Sequence, residues 1–160
     1  MKTLIYKLIE SPVGQLKIVA DDKTLIAILW DNERENRVKL PELVEKKNDP
    51  FLLEVEKQLN EYFNHQRVNF NVPLQMRGTA FQEAVWQLLC KIPYGSTWSY
   101  KDIAEKIDRP KAVRAVGAAI GRNPISIIIP CHRVIASDGN LTGFAGGLDR
   151  KKTLLDLESF

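Results

Sequence analysis

The chain has 160 residues, 44% hydrophobic and 27% charged, with a formal net charge of +3. That length and composition fit a globular protein of one large or two small domains with a real core, and exclude fibrous and low-complexity classes. Two cysteines make no disulfide framework, no Cys-x-x-Cys pair occurs and the two histidines lie far apart, so neither a metal nor a cofactor is expected.

No apolar run approaches the roughly 20 residues that span a bilayer. The first residues, Met1–Lys7, place a lysine inside a would-be apolar segment and offer no small-residue cleavage site, unlike a signal peptide. A cytoplasmic protein without membrane contact is expected, where a thiol stays reduced. The charge is unevenly spread: residues 1–74 carry 11 basic and 12 acidic side chains, residues 75–160 carry 12 and 8. The positive excess of the second half suits an anionic partner such as nucleic acid.

In chain order, Leu4–Ile9, Leu16–Ala20 and Leu25–Trp30 alternate apolar and polar residues between the turn-forming stretches Ser11-Pro12-Val13-Gly14 and Asp21-Asp22-Lys23. They predict an antiparallel meander. Residues 31–48 are charged and poor in large apolar groups, and read as a loop region with room for a short strand or turn. A helical period starts at Asp49-Pro50, an N-cap and first-turn pair, with Leu52, Val55, Leu59, Tyr62 and Phe63 on one face. Asn69–Pro73 reads as a strand or linker, and the domain boundary falls near residues 74–80.

The second half opens on a predicted helix, Ala80 to Lys91, with Phe81, Val85, Leu88 and Leu89 on its apolar face and Cys90 packed in the core at its end. Pro93-Tyr94-Gly95-Ser96 is a turn. Two short helices follow. Ser99 and Asp102 have the spacing of a capping box, and Pro110 suits the first turn of a second helix, Ala112 to Gly121, whose Val113, Val116 and Ile120 are read as core. Lys101, Lys106, Arg109, Lys111, Arg114 and Arg122 outnumber Asp102, Glu105 and Asp108. This helix-turn-helix pattern fits DNA contact and equally a structural unit. Arg114 is the one long cation in a helix of small residues, free either to reach solvent or to point at a partner.

The chemically most suggestive stretch is Pro130-Cys131-His132-Arg133-Val134. It follows Ile125-Ser126-Ile127-Ile128-Ile129, a run apolar enough to predict a buried strand that delivers Cys131 to the edge of a core. A free cysteine there is either a small buried hydrophobe or a nucleophile. His132 and Arg133 offer the base and the positive field that a thiolate requires. Neighbours in an extended chain point to opposite faces, so His132 can serve Cys131 only through a turn or a bridging water.

Taken together, Tyr100, Arg114-Ala115-Val116-Gly117, Asn123-Pro124, Ile129 through Val134 and Gly143–Gly147 resemble the O6-alkylguanine-DNA alkyltransferases, over residues 80 to 158 closely and over residues 1–74 loosely. The resemblance implies an α+β protein. An RNase H-like antiparallel-sheet domain (1–74) would support a mostly helical, winged-helix-like domain (75–160) that binds DNA and accepts the alkyl group. It implies irreversible, single-turnover transfer from O6-alkylguanine, and from O4-alkylthymine, to Cys131 by a monomer that binds double-stranded DNA through the minor groove. His132 would be the base acting through water, Glu158 its orienting acid, Tyr100 the hydroxyl on the guanine, and Asn123 the hinge between recognition helix and active-site segment. Arg114 would fill the gap left by the flipped nucleotide. Ala115, Gly117, Ser99, Arg133 and Lys151 would contact DNA, and Tyr100, Ile120, Val134, Phe144 and Ala145 would line the base pocket. The family often has tyrosine at 144 and some members have serine at 145, so a side-chain hydrogen bond to the base is lost at both positions. A lesion-binding relative without transfer, a helix-turn-helix regulator and a cysteine hydrolase are the alternatives; the relative lacks the cysteine, and the regulator leaves Glu158 and the glycine-rich loop unexplained.

Overall fold

The computed structural model describes residues 3–34 and 37–159. Residues 1 and 2 of the N-terminal segment and residues 35 and 36 of the charged stretch lie outside the described residues. The chain divides into two compact units, Met1–Met76 and Arg77–Phe160.

Among the described residues of the first unit, β1 (Leu4–Ile9), β2 (Leu16–Asp21), β3 (Thr24–Trp30) and β4 (Leu43–Glu45) form one sheet in the order β3-β2-β1-β4. The expected meander is present as β1–β2–β3, antiparallel throughout, but β4 runs parallel to β1, so the sheet is mixed. The fourth strand sits inside the stretch read as loop. It is the short strand for which that stretch left room; three residues are too few to show a period, so its position was not legible.

Leu4, Val19, Ile26, Ala27 and Leu29 form a buried cluster, covered by Tyr6, Val38, Leu40 and Leu43. Helix α1 (Pro50–Phe63) packs on β1 and β2. It starts where expected: the Asp49 carboxylate accepts from the backbone N–H groups of Phe51 and Leu52, with proline at the first helical position. Its buried stripe is Leu52, Val55, Leu59, Tyr62 and Phe63, with Gln58 added. Gln58 belongs there because its amide pairs twice with the Asn71 backbone, donating to the carbonyl at 3.1 Å and accepting from the N–H at 2.9 Å. That pairing pins the linker, which then bridges β3 in parallel through Leu25 and Leu74.

The second unit holds α2 (Ala80–Leu89), α3 (Tyr100–Lys106), α4 (Val113–Gly121) and α5 (Leu148–Glu158), with a short parallel pair of β5 (Trp98–Ser99) and β6 (Val134–Ile135). Capping boxes open α2 at Thr79/Gln82 and α3 at Ser99/Asp102. Val85, Trp86 and Leu89 are the buried residues of α2, and the indole N–H of Trp86 donates to the Ala119 carbonyl at 2.8 Å, tying α2 to the end of α4.

The backbone and core of the second unit depart from expectation at several places. Cys90 is exposed, because α2 closes at Leu89 and the chain turns at the cysteine. Val113 is 38% exposed, since the buried stripe of α4 is Val116, Ala119 and Ile120. Pro110 lies in the turn before α4, which is capped by Ala112. Residues 125–129, all buried except the half-buried Ile128, form a compact turn, not a strand.

Candidate functional site

The turn before Cys131 is organised by Asn123, which is 1% exposed. Its Oδ1 accepts from the Ile125 N–H at 3.0 Å and its Nδ2 donates to the Ile129 carbonyl at 2.9 Å, so one side chain clamps both ends of the loop. Within it Ile127 adopts φ +73°, a left-handed conformation that costs a β-branched residue strain and persists only where the surroundings enforce it. Pro130 then sits at φ −80°, ψ 65°, while the Cys131 N–H donates to the Ile129 carbonyl at 2.7 Å. This is an inverse γ-turn, which reverses the chain just before the thiol.

A single 3-10 turn, Cys131–Arg133, follows. It supplies the turn that adjacency of Cys131 and His132 demanded. Cys131 is 4% exposed and His132 fully buried. The imidazole Nε2 lies 2.7 Å from Glu158 Oε2. Arg133 donates to the same carboxylate from Nε to Oε1 at 2.7 Å and from Nη2 to Oε2 at 2.9 Å, and from Nη1 to the Ile92 carbonyl at 2.7 Å. A carboxylate forked by a guanidinium is ionised and can only accept. The imidazole proton therefore sits on Nε2, and Nδ1 carries the lone pair. Nδ1 is buried and makes no hydrogen bond to the protein. Burial holds the His132 pKa below its ordinary value; Glu158 works against this, and the Arg133 and Lys151 cations add to it. The ring is thus a neutral base at neutral pH.

Gly95, at φ +82°, makes the turn at Pro93–Ser96 and passes close to the Glu158 backbone carbonyl, which a Cβ there would meet at 3.3 Å.

Lys151 is fully buried in α5 and donates from Nζ to the Val134 carbonyl at 2.6 Å and to the Thr142 carbonyl at 2.8 Å. Burial lowers its pKa to about 8, partly offset by the charge of Cys131. Parallel pairing of Trp98 with Val134 and Ser99 with Ile135 brings the start of α3, and so Tyr100, beside the acceptor segment. Tyr100 packs near the backbone of α4, with its ring 3.9 Å from a Cβ built at Gly117, and its hydroxyl accepts from Thr142 Oγ1 at 3.1 Å.

Helices α3 and α4 form the expected helix-turn-helix. Arg114, Ala115 and Ala118 are exposed on α4 and Gly117 is half-buried, so the open face of the helix is small-residued with one long cation. Ser99 spends its hydroxyl oxygen on the α3 cap, accepting from the Asp102 N–H. Ile120 and Val134 are buried, and Phe144 and Ala145 half-buried in the loop before α5.

The site therefore unites Cys131, His132, Glu158 and Asn123. Two expected DNA contacts are corrected: Arg133 and Lys151 are buried and hydrogen-bonded within the unit, the first to Glu158 and Ile92, the second to two backbone carbonyls. A signal existed for Arg133, since a cation between His132 and Val134 in an apolar segment needs a buried acid, and Glu158 closes an otherwise amphipathic stretch. Thr142 carried no such signal. Among the described residues no group of three His, Cys, Asp or Glu side chains could hold a metal ion.

A helix-turn-helix in the same unit as a buried cysteine followed by an imidazole–carboxylate pair fits the class of DNA-directed proteins with a cysteine acceptor. The chain belongs to the 6-O-methylguanine DNA methyltransferase family: residues 4–76 match the ribonuclease-like domain of that family and residues 80–160 its DNA binding domain. It is 47% identical to a methylated-DNA–protein-cysteine methyltransferase of Methanosarcina barkeri over 97% of both chains. A protein of the same name from Haemophilus influenzae is 46% identical over 99% of this chain and 88% of the relative. The crystal structure of Mycobacterium tuberculosis OGT in complex with DNA is similar at a TM-score of 0.89 and 42% identity, covering 97% of this chain and 92% of that one.

Proposed function

We propose that this protein repairs DNA directly, moving the alkyl group of O6-alkylguanine, and of O4-alkylthymine, onto Cys131. The observation that carries the reading is the buried His132, fixed at Nε2 by Glu158 and left with a free lone pair at Nδ1 directly after a buried cysteine. A water between Nδ1 and the Cys131 Sγ takes the thiol proton to the imidazole, and Glu158 stabilises the imidazolium that forms. The thiolate attacks the alkyl carbon; the S–C bond forms as the C–O bond breaks, and the electron pair leaves on the base. The Tyr100 hydroxyl donates its proton to the departing base, stabilising the developing charge. The thioether resists hydrolysis, so each molecule reacts once.

The lesion must leave the duplex, at a cost of a few kcal/mol. The open face of α4 suits such extrusion. Ala115, Gly117 and Ala118 allow close approach to the minor groove, while Arg114 occupies the stack. The second unit would bind DNA and accept the alkyl group, and the first would support it. One copy holds all the site residues, consistent with action as a monomer. No described helix is long and apolar enough to cross a membrane, and a thiol acceptor needs the reducing cytoplasm. Cys131→Ser should abolish methyl transfer from an O6-methylguanine duplex while retaining binding to it, and Cys90→Ser should react normally. Transfer by the Cys131→Ser protein at a tenth of the normal rate would remove the assignment.

A further inference from the structure

Thr142 takes no part in the proton path from Cys131 to His132, yet its hydroxyl meets the Tyr100 hydroxyl at 3.1 Å, 42 residues away in sequence. We infer that Thr142 is a positioning residue for Tyr100, orienting the phenol so that its proton is aimed at the base and strengthening it as a donor. The inference rests on the reading that Tyr100 protonates the departing base.

Two hydroxyls facing each other share one hydrogen bond, which can run in either direction. Once the phenolic proton is committed to the base, only the bond from Thr142 Oγ1 to the Tyr100 oxygen remains, and the 3.1 Å separation of the two oxygens allows it. A hydroxyl that accepts a hydrogen bond is polarised into a better donor, as in other hydrogen-bonded chains. The effect grows as negative charge develops on the base, so it acts on the transition state and not on binding.

Thr142 can do this only if its own backbone is fixed. It lies in a loop where the following Gly143 has nothing within 4 Å of a would-be Cβ, so local packing gives little support. Support comes from Lys151, whose buried ammonium holds the Thr142 carbonyl at 2.8 Å and the Val134 carbonyl at 2.6 Å. Val134 closes the 3-10 turn that begins at Cys131. The ammonium thus sets the Thr142 hydroxyl at a fixed position relative to both the acceptor segment and α3.

The test is a double-mutant cycle on single-turnover transfer from an O6-methylguanine duplex, with duplex binding measured alongside. Thr142→Val keeps the shape and removes the hydroxyl; it should slow transfer by about tenfold, the size expected for one hydrogen bond to a charge-developing group, without changing affinity. Thr142→Ser should restore the rate, and adding Thr142→Val to Tyr100→Phe should slow it no further. Normal transfer by Thr142→Val beside slow transfer by Tyr100→Phe would overturn this inference and leave the role of Tyr100 standing. Full additivity in the double variant, or no rescue by serine, would overturn it as well. Normal transfer by Tyr100→Phe would instead remove the donor role of Tyr100, and this inference with it.

Discussion

Glu158 binds two partners at once, and that sharing sets the chemistry of His132. Arg133 keeps the carboxylate ionised and forked, and the carboxylate in turn dictates that the imidazole carries its proton on Nε2. Glu158→Gln should therefore slow transfer far more than it weakens DNA binding. An amide gives His132 no negative charge against which to become an imidazolium, and it can present N–H groups that stabilise the wrong tautomer. An unchanged rate and pH profile in Glu158→Gln would sink the proton path. Because burial lowers the His132 pKa, the base stays unprotonated to lower pH than an ordinary histidine. The acid limb of the wild-type rate profile should then fall below about 6.5, the free-histidine value. A limb above that value would contradict the assignment of His132 as a neutral base. Removing the Arg133 cation should move the limb upward, since that charge helps to hold the pKa down.

The helices separate what the sequence exposed from what it concealed. Periodicity, capping residues and Pro50 made α1, α2, α3 and α4 legible: α1, α2 and α4 bury apolar stripes longer than one turn, and the short α3 is marked by its Ser99/Asp102 capping box. The run of isoleucines before Cys131 misled for a physical reason: β-branched residues favour strands, yet here Asn123 clamps them into a turn with Ile127 at positive φ. A clamp closed by tertiary hydrogen bonds has no periodic signature. Cysteine, histidine and glutamate are legible through the resemblance; the DNA contacts it implies for Arg133 and Lys151 fail because both cations are buried and spent on partners within the unit, which no local pattern reveals.

The burial of Arg133 and the exposure of Arg114 predict opposite behaviour on substitution. Arg133→Met leaves the buried Glu158 carboxylate with the His132 N–H but no counter-charge, and breaking such a buried pair costs about 3–5 kcal/mol, visible as a lower denaturation midpoint. The salt dependence of DNA affinity should not change. A shallower salt slope in Arg133→Met would return the residue to the DNA interface. Arg114→Ala should slow repair of a duplex more than it slows reaction with free O6-alkylguanine base, which needs no flipping. Loss of a phosphate contact alone would weaken all DNA binding about uniformly and lower the salt slope by roughly one ion. Equal slowing on both substrates would mean that Arg114 shapes the fold.

At the scale of the molecule, the positive excess of residues 75–160 falls in the unit that holds the reactive cysteine, while the first unit is near neutral. DNA attraction and chemistry are thereby concentrated in one compact unit. The buried imidazole also makes folding sensitive to acid. A base whose folded pKa is depressed binds its proton more readily in the unfolded chain. Its contribution to stability is present above the ordinary histidine value of about 6.5 and is lost as pH falls from there toward the folded pKa. Thermal denaturation across that window should show a steeper acid loss for the wild type than for His132→Asn; equal slopes would show that the ring is not buried as a neutral group. The central claim, that this chain is itself the acceptor, is tested most directly by intact-protein mass spectrometry after mixing with an O6-methylguanine duplex, followed by peptide mapping. One methyl group should replace the thiol proton of Cys131, and repair should stop after one equivalent of lesion; methylation of Cys90, continued turnover, or an unmodified protein beside repaired DNA would contradict the account.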